Sequence, residues 1–143
     1  MKKLGYVIAA LVLPTMHVQA EIPACANTAA AEFGVPPKVF EALAIDSDIN
    51  PVNSDILHGP MGLHSMIIPI AAEGLGVDPE QVRTDECQNY RASAWLLMNP
   101  AGGNNGDIWG AVTVYFYGKS TRTRFPMVER VRAIHEKLTE DHG

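Results

Sequence analysis

The chain has 143 residues with 16 acidic and 11 Lys or Arg side chains, which gives a formal net charge of −5 at pH 7. Its length is enough for one compact domain and too short for two. A net acidic chain whose only basic run is the short segment GKSTRTR, 118–124, is a poor candidate for a nucleic-acid-binding protein. We therefore expect one domain without a nucleic-acid partner.

The N-terminus has the pattern of a secretory signal peptide. In MKKLGYVIAALVLPTMHVQA, two lysines precede an apolar stretch that ends in a small-residue cleavage site. This pattern predicts a signal peptide over residues 1–20 and a mature domain over residues 21–143 that is periplasmic or secreted. The apolar stretch is too short to span a bilayer comfortably, so we expect no membrane association after cleavage. An uncleaved N-terminal anchor is the alternative.

The chain has two cysteines, Cys25 and Cys87, both in the predicted mature domain. In an oxidising compartment such a pair is most simply a disulfide. Closing a loop of about 60 residues should stabilise the fold by roughly 4 kcal/mol on the chain-entropy model. A metal site or a catalytic thiol is a weaker alternative, because the chain has no CxxC motif and no His at ligand spacing from either cysteine.

Apolar periodicity predicts a mainly helical chain with room for at most one small strand pair. Prolines, glycines and capping residues divide this chain into segments. The expected helical segments, in chain order, are 24–33, 37–46, a short or irregular one within 66–75, one that begins at Asp78-Pro79, then 88–98 and 126–138.

The segment DIWGAVTVYFYG, 107–118, fits two structures. Its β-branched and aromatic residues favour a strand. Trp109, Val112, Thr113 and Phe116 are also spaced as one side of a helix that Asp107 would cap. The sequence leaves both structures open.

The segment ALAIDSDINP, 42–51, places two carboxylates at the end of the second predicted helix. Asp46 follows Val39 and Leu43 at helical spacing, so it continues the core-facing side of the helix. Asp48 is turned about 200° from Asp46 and should face solvent. Partial burial and the helix dipole both favour the neutral acid form of Asp46, which is the form that a general acid needs. A polar helix cap is the alternative.

Three segments resemble motifs of the lytic transglycosylase family, in the same order and at similar spacing. IDSDINP is similar to the family's E-S-x-x-N-P, GPMGLHSM to G-x-M-G-L-M-Q-L/I, and WGAVTVYFYG to W-x-A-(x)3-Y-N-A-G. CANTAAAEFGVPPKVFEALAIDS and CQNYRASAWLL resemble segments of the small transglycosylases attached to type III and type IV secretion systems and type IV pili. The resemblance covers residues 24–138.

The resemblance implies a mainly α, lysozyme-like domain with one disulfide and a cleft for a glycan strand. It also implies cleavage of the MurNAc–GlcNAc bond of peptidoglycan with a 1,6-anhydro product. One carboxyl group performs both proton transfers and the substrate supplies the nucleophile, so no cofactor, metal or second carboxylate is expected. The implied partners are peptidoglycan strands and components of a secretion or pilus apparatus.

In this resemblance Asp46 occupies the position of the catalytic Glu. The predicted substrate-binding residues come from the same segments: Ser47, Gly62, Leu63, His64, Ser65, Tyr115 and Tyr117. Tyr115 matches the family's Tyr that hydrogen-bonds the catalytic carboxyl group. Phe116 and Tyr117 could stack on sugar rings, although aromatic residues on an apolar segment are more often core. Two further residues have no assigned role: His58 and Glu73.

The chain departs from the family pattern at three places. Asp46 is one methylene shorter than Glu, and a misplacement of about 1 Å can lower a rate about a hundredfold. His64-Ser65 replaces a Met-Gln pair, and Phe116 replaces an Asn. The retained carboxyl group and Tyr115 favour an active enzyme. The alternatives are a protein that binds peptidoglycan without cutting it and a scaffold that docks on a secretion or pilus complex.

Overall fold

The computed structural model describes residue 11 and residues 21–141. The predicted signal peptide, 1–20, therefore lies outside the described residues except for Leu11. Within the part of the chain that is described, no helix is long and apolar enough to cross a membrane.

Across these described residues the fold is mainly helical, as the sequence predicts, with seven α-helices and one two-stranded hairpin. The helices are α1 Ala24–Phe33, α2 Pro37–Ile49, α3 Ile68–Leu75, α4 Pro79–Thr84, α5 Glu86–Met98, α6 Ile108–Tyr117 and α7 Pro126–Glu140. The antiparallel strands β1, Leu57–His58, and β2, Leu63–His64, lie between α2 and α3. A short 3-10 helix, Gly103–Asn105, precedes α6.

Aspartate caps set the start of three helices, α4, α5 and α6. The Asp78 carboxylate accepts a hydrogen bond from the Glu80 N–H and begins α4 as the sequence predicts. The Asp107 carboxylate accepts one from the Gly110 N–H and begins α6. The segment 107–118, which the sequence left open between strand and helix, is therefore a helix.

Helix α5 packs against α1, α3, α4 and α6, whereas α2 packs chiefly against α7. The largest fully buried apolar side chains come from separate helices and form one core: Phe40, Ile68, Val82, Leu97, Val112 and Val131. Helix α7 is amphipathic as expected, because Val128, Val131 and Leu138 are its buried side. The packing of α6 on α5 and α7, together with that of α2 on α7, holds the end of α2 next to α6 and α7.

The disulfide between Cys25 and Cys87 joins α1 to α5, which confirms the predicted pairing. The two Cα atoms lie 5.5 Å apart, and the cysteines are 62 positions apart in sequence. Helix α5 begins at Glu86, two residues before the predicted start, because the Asp85 carboxylate accepts a hydrogen bond from the Gln88 N–H. Cys87 thus lies in the first turn of a capped helix.

Candidate functional site

A cleft of about 590 Å³ opens beside the C-terminal end of α2. Its walls are the end of α2 with the residues that follow it, the β1–β2 hairpin, the end of α5 with Pro100 and Ala101, α6 and α7. Its apolar lining includes Leu43, Leu57, Leu96, Val114, Phe116 and Met127. A largely apolar cleft with a few placed polar groups is typical of a ligand site, so this cleft is the candidate functional site.

Asp46 is the buried carboxylate of this cleft, with 3% of the residue exposed. It lies on the core-facing side of α2 and Asp48 is exposed, as the helical spacing predicts. The Asp46 Oδ1 atom accepts hydrogen bonds from Arg130 Nε and from Asn50 Nδ2, each at 2.9 Å. The Oδ2 atom accepts one from Arg130 Nη2 at 3.1 Å. Both carboxylate oxygens are therefore occupied by donors from the protein.

Arg130 reaches this carboxylate from α7 and lines the cleft itself. The Arg130 side chain is 44% exposed, whereas that of Asp46 is 4% exposed. The hydrogen bond to Asp46 raises the pKa of Arg130 above its ordinary value, so the guanidinium stays charged. The pair therefore has one covered partner and one that solvent or a ligand can reach.

A buried amide holds the hairpin that forms part of the cleft wall. Asn89, on α5, is fully buried, and its Oδ1 atom accepts a hydrogen bond from the Met61 N–H at 2.9 Å. Its Nδ2 group donates to the carbonyls of His58 and Val82, both at 3.0 Å. Gly59 lies directly against this amide, and a Cβ there would come within 2.3 Å of Asn89 Cγ. The hairpin turn is thereby fixed to α5.

Two predicted site residues position the same turn. The Ser47 hydroxyl donates to the Pro60 carbonyl and so joins α2 to the hairpin. Gly62 has a φ of +58°, in the left-handed region that favours glycine, and its N–H donates to the Gly59 carbonyl at 3.0 Å. Leu63 follows as a buried apolar residue. All three predicted residues, Ser47, Gly62 and Leu63, line the cleft.

Of the predicted pair His64 and Ser65, only His64 lines the cleft. Its Nδ1 atom accepts a hydrogen bond from the Met66 N–H at 3.1 Å, so the neutral ring carries its proton on Nε2. Ser65 lies outside the lining, where its hydroxyl donates to the Ile56 carbonyl at 3.2 Å. Because that bond uses the hydroxyl proton, His58 Nε2 is the donor across the 2.8 Å to Ser65 Oγ.

Tyr115 lines the cleft, but its hydroxyl lies 2.6 Å from Ser93 Oγ. The hydrogen bond to Asp46 that the family resemblance implies is not among the contacts of the described residues, and Asp46 accepts hydrogen bonds from Arg130 and Asn50 instead. Burial raises the pKa of Tyr115 to about 12, against a smaller lowering by the Ser93 hydrogen bond. Tyr115 therefore stays protonated near neutral pH.

Tyr117 and Glu73 lie away from the cleft lining. The Tyr117 hydroxyl accepts a hydrogen bond from the Met127 N–H at 3.0 Å, and its ring meets Phe125 with centroids 5.3 Å apart. Tyr117 thus fastens the α6–α7 junction, whereas its neighbour Phe116 lines the cleft. Glu73 is exposed on α3. The sequence predicts that Tyr117 binds substrate, whereas in the structure its contacts are with Met127 and Phe125 at the α6–α7 junction.

The sequence did not indicate Arg130 or Asn50 as partners of Asp46. Arg130 is 84 positions from Asp46, and no spacing rule joins residues that far apart. Asn89 had a signal that could have been used. It shares one face of α5 with the buried Ser93, four residues on, and a polar residue on a buried face needs hydrogen-bond partners.

The cleft combines one buried carboxylate, one accessible guanidinium and a largely apolar lining. Across residue 11 and residues 21–141, no group of three His, Cys, Asp or Glu side chains is placed to hold a metal ion. Comparisons of the chain with protein-family models, with curated proteins and with solved structures find no match. Inference about function therefore starts from the cleft and from the sequence motifs that line it.

Proposed function

We propose that the protein binds a glycan strand of peptidoglycan in this cleft and cleaves it as a lytic transglycosylase, with Asp46 as the single acid and base. The observation that carries the proposal is that the three family-like segments converge. IDSDINP, GPMGLHSM and WGAVTVYFYG all contribute lining residues to one cleft around a buried carboxyl group.

The proposed reaction needs one carboxyl group. Protonated Asp46 gives its proton to the glycosidic oxygen as the bond from that oxygen to C1 of MurNAc breaks. The C6 hydroxyl of the same MurNAc attacks C1 and gives its proton to the Asp46 carboxylate, which closes the anhydro ring and restores the acid. Asp46 must first leave Arg130, because a carboxylate that accepts hydrogen bonds on both oxygens has no proton to donate.

The rest of the lining suits a glycan strand. Phe116 and the aliphatic residues offer apolar surface for the faces of sugar rings. His64 carries a ring N–H on Nε2 that can donate to a sugar hydroxyl. Ser47 and Tyr115 support the cleft indirectly, since their hydroxyls are bonded to the hairpin turn and to α5.

A second candidate function is peptidoglycan binding without cleavage. The Asp46–Arg130 ion pair favours it, because the carboxylate is covered and engaged while the guanidinium faces the cleft. An aspartate is also shorter than the glutamate of the family motif. In this case the cleft binds the glycan, but Asp46 does not act as an acid.

Both candidates act outside the cytoplasm, which agrees with the Cys25–Cys87 disulfide. The enzyme would open the cell wall locally for a secretion, conjugation or pilus apparatus. A protein that only binds would mark the same place on the wall. The resemblance to the secretion-associated subgroup is the support for this setting.

Purified mature protein incubated with peptidoglycan sacculi tests the proposal, with mass spectrometry for anhydromuropeptides as the readout. We expect product from the wild type and a loss of about a hundredfold or more in Asp46→Asn, which keeps the shape and removes the acid. The variant Asp48→Asn should retain activity, since Asp48 lines the same cleft but is exposed and lies outside the Asp46–Arg130 ion pair.

Three outcomes would change the proposal. No product from the wild type or from Asp46→Glu, with intact binding to sacculi, rejects the enzyme and leaves the binding protein. Product from Asp46→Glu alone identifies a lapsed enzyme. Loss of product in Asp48→Asn with activity retained in Asp46→Asn moves the acid to Asp48.

A further inference from the structure

The Arg130 guanidinium has an unused face toward the cleft. It engages Asp46 through Nε and Nη2, the side-on pair of donors. The end-on pair, formed by Nη1 and the second N–H of Nη2, makes no hydrogen bond to the described residues. Guanidinium groups bind carboxylates through either pair with two parallel hydrogen bonds. Arg130 can therefore receive a second carboxylate while the first is still in place.

A basic segment connects two of the helices that line the cleft. The segment GKSTRTR, 118–124, joins α6 to α7. The Arg122 guanidinium lies 5.2 Å from the centre of the Tyr117 ring at the end of α6. The positive charge of this segment favours anionic ligands at the adjoining end of the cleft.

We propose that Arg130 binds a carboxylate substituent of MurNAc in the ligand, and that this carboxylate draws Arg130 away from Asp46. The inference rests on the proposed function and specifies its substrate: a glycan that carries free carboxylates is bound in preference to a neutral one. Arg130 is then a latch that keeps Asp46 engaged until an anionic ligand arrives.

The exposure of the two partners supports this order of events. A ligand reaches Arg130 directly, whereas Asp46 is covered. A second carboxylate shares the single positive charge of Arg130, weakens its hydrogen bonds to Asp46 and so frees the carboxyl oxygens of Asp46 for the ligand. Without the anion, Asp46 stays paired with Arg130 and cannot act as the acid.

Disaccharide-peptides of the form GlcNAc–MurNAc-peptide test the latch, because they contain no bond that the proposed enzyme cleaves. One sample keeps its carboxylates and a matched sample has them converted to methylamides. Isothermal titration at low salt should show about tenfold tighter binding of the first sample by the wild type. A third sample, stripped of peptide so that only the lactyl carboxylate remains, separates the two sources. Tight binding of this third sample would show that Arg130 binds the lactyl carboxylate. Weak binding would show that it binds a carboxylate of the peptide stem.

The variants assign the effect to Arg130. Arg130→Gln should bring the two affinities within about twofold of each other, and Arg130→Lys should restore part of the difference. Arg132→Gln is the matched control. Arg132 lies on the same helix, stacks over the Trp109 ring at 4.3 Å and does not line the cleft. If Arg130→Gln does not fold, the double variant Arg130→Gln/Asp46→Asn, which removes both charges of the ion pair, is used in its place.

The outcomes separate this inference from the proposed function. Equal affinity of the wild type for the first two samples, with no tighter binding of the peptide-free sample, overturns the latch and leaves glycan binding intact. A difference that persists in Arg130→Gln also overturns it. Absence of binding to every sample rejects the proposed function and the latch together. The Arg130 Nε–H resonance should shift with the unmodified sample and stay in place with the methylamide.

Discussion

Two arginine–carboxylate pairs of this fold have nearly the same geometry in different surroundings. Arg91 on α5 donates through Nε and Nη2 to the two oxygens of Glu32 on α1, at 2.8 and 2.6 Å. Arg130 donates through the same two nitrogens to Asp46, at 2.9 and 3.1 Å. The Glu32 side chain is 38% exposed, whereas that of Asp46 is 4% exposed.

The surroundings give the two pairs different roles. Water reaches Glu32, and the disulfide already joins α1 to α5, so the outer pair adds little. At Asp46 the carboxylate is covered, and loss of its partner would leave a buried charge. Loss of the Asp46–Arg130 contact without a replacement partner would therefore destabilise the fold at the cleft. A ligand that supplies a replacement partner could exchange with this contact.

Removal of the disulfide should give the largest change on the α1–α5 side. The double variant Cys25→Ala/Cys87→Ala releases a loop that spans 62 positions. We expect the free energy of unfolding to fall by about 4 kcal/mol in urea denaturation, on the chain-entropy model. A fall below about 1 kcal/mol would contradict the view that this side is held covalently.

Asn89→Ala tests whether burial, rather than charge, determines the size of the effect. The change leaves the Met61 N–H and two carbonyls without their partner. We expect a loss of about 3 kcal/mol in urea denaturation. The control Asn104→Ala removes an exposed amide bonded to Asn99 and should change stability by less than about 0.5 kcal/mol. Equal losses in the two variants would contradict the account.

Arg130→Gln and Arg91→Gln compare the two ion pairs directly. We expect about 2 kcal/mol for Arg130→Gln, reduced from the value for a fully buried pair because Arg130 is 44% exposed. Arg91→Gln should cost less than about 1 kcal/mol. Both are measured by urea denaturation at neutral pH. Adding Asp46→Asn to Arg130→Gln should recover part of the loss, and a larger loss in Arg91→Gln would reverse the comparison.

The smallest predicted effect is the pH dependence of the outer pair. The hydrogen bond from Arg91 lowers the pKa of Glu32 below its ordinary value of 4.5, against a smaller opposing effect of burial. The pair therefore stabilises the fold above the pKa of the unfolded chain, and this contribution is lost as pH falls through the lowered pKa. The stability difference between wild type and Glu32→Gln should shrink on acidification. A difference that grows would contradict the sign.

Local signals in the sequence were enough to predict most of the helices. Asp78, Asp107 and the prolines begin or end helices through their own backbone, and the placement of Asp46 and Asp48 followed from helical spacing. Of the two partners of Asp46, Asn50 lies only four residues away, at helical spacing, whereas Arg130 could not be predicted in this way. Arg130 meets Asp46 only because α7 packs on α2, and packing between helices leaves no local trace in the sequence.

NMR titration of residues 21–143 with a GlcNAc–MurNAc-peptide tests most directly whether the cleft at Asp46 is the ligand site. We expect the perturbed backbone amides to cluster at Asp46, Ser47, the 59–64 turn and strand, and Tyr115, and the Arg130 side-chain resonances to shift. The surface around Glu32 and Arg91 should stay unchanged. Perturbations confined to that outer surface, or none at all, would contradict the central claim.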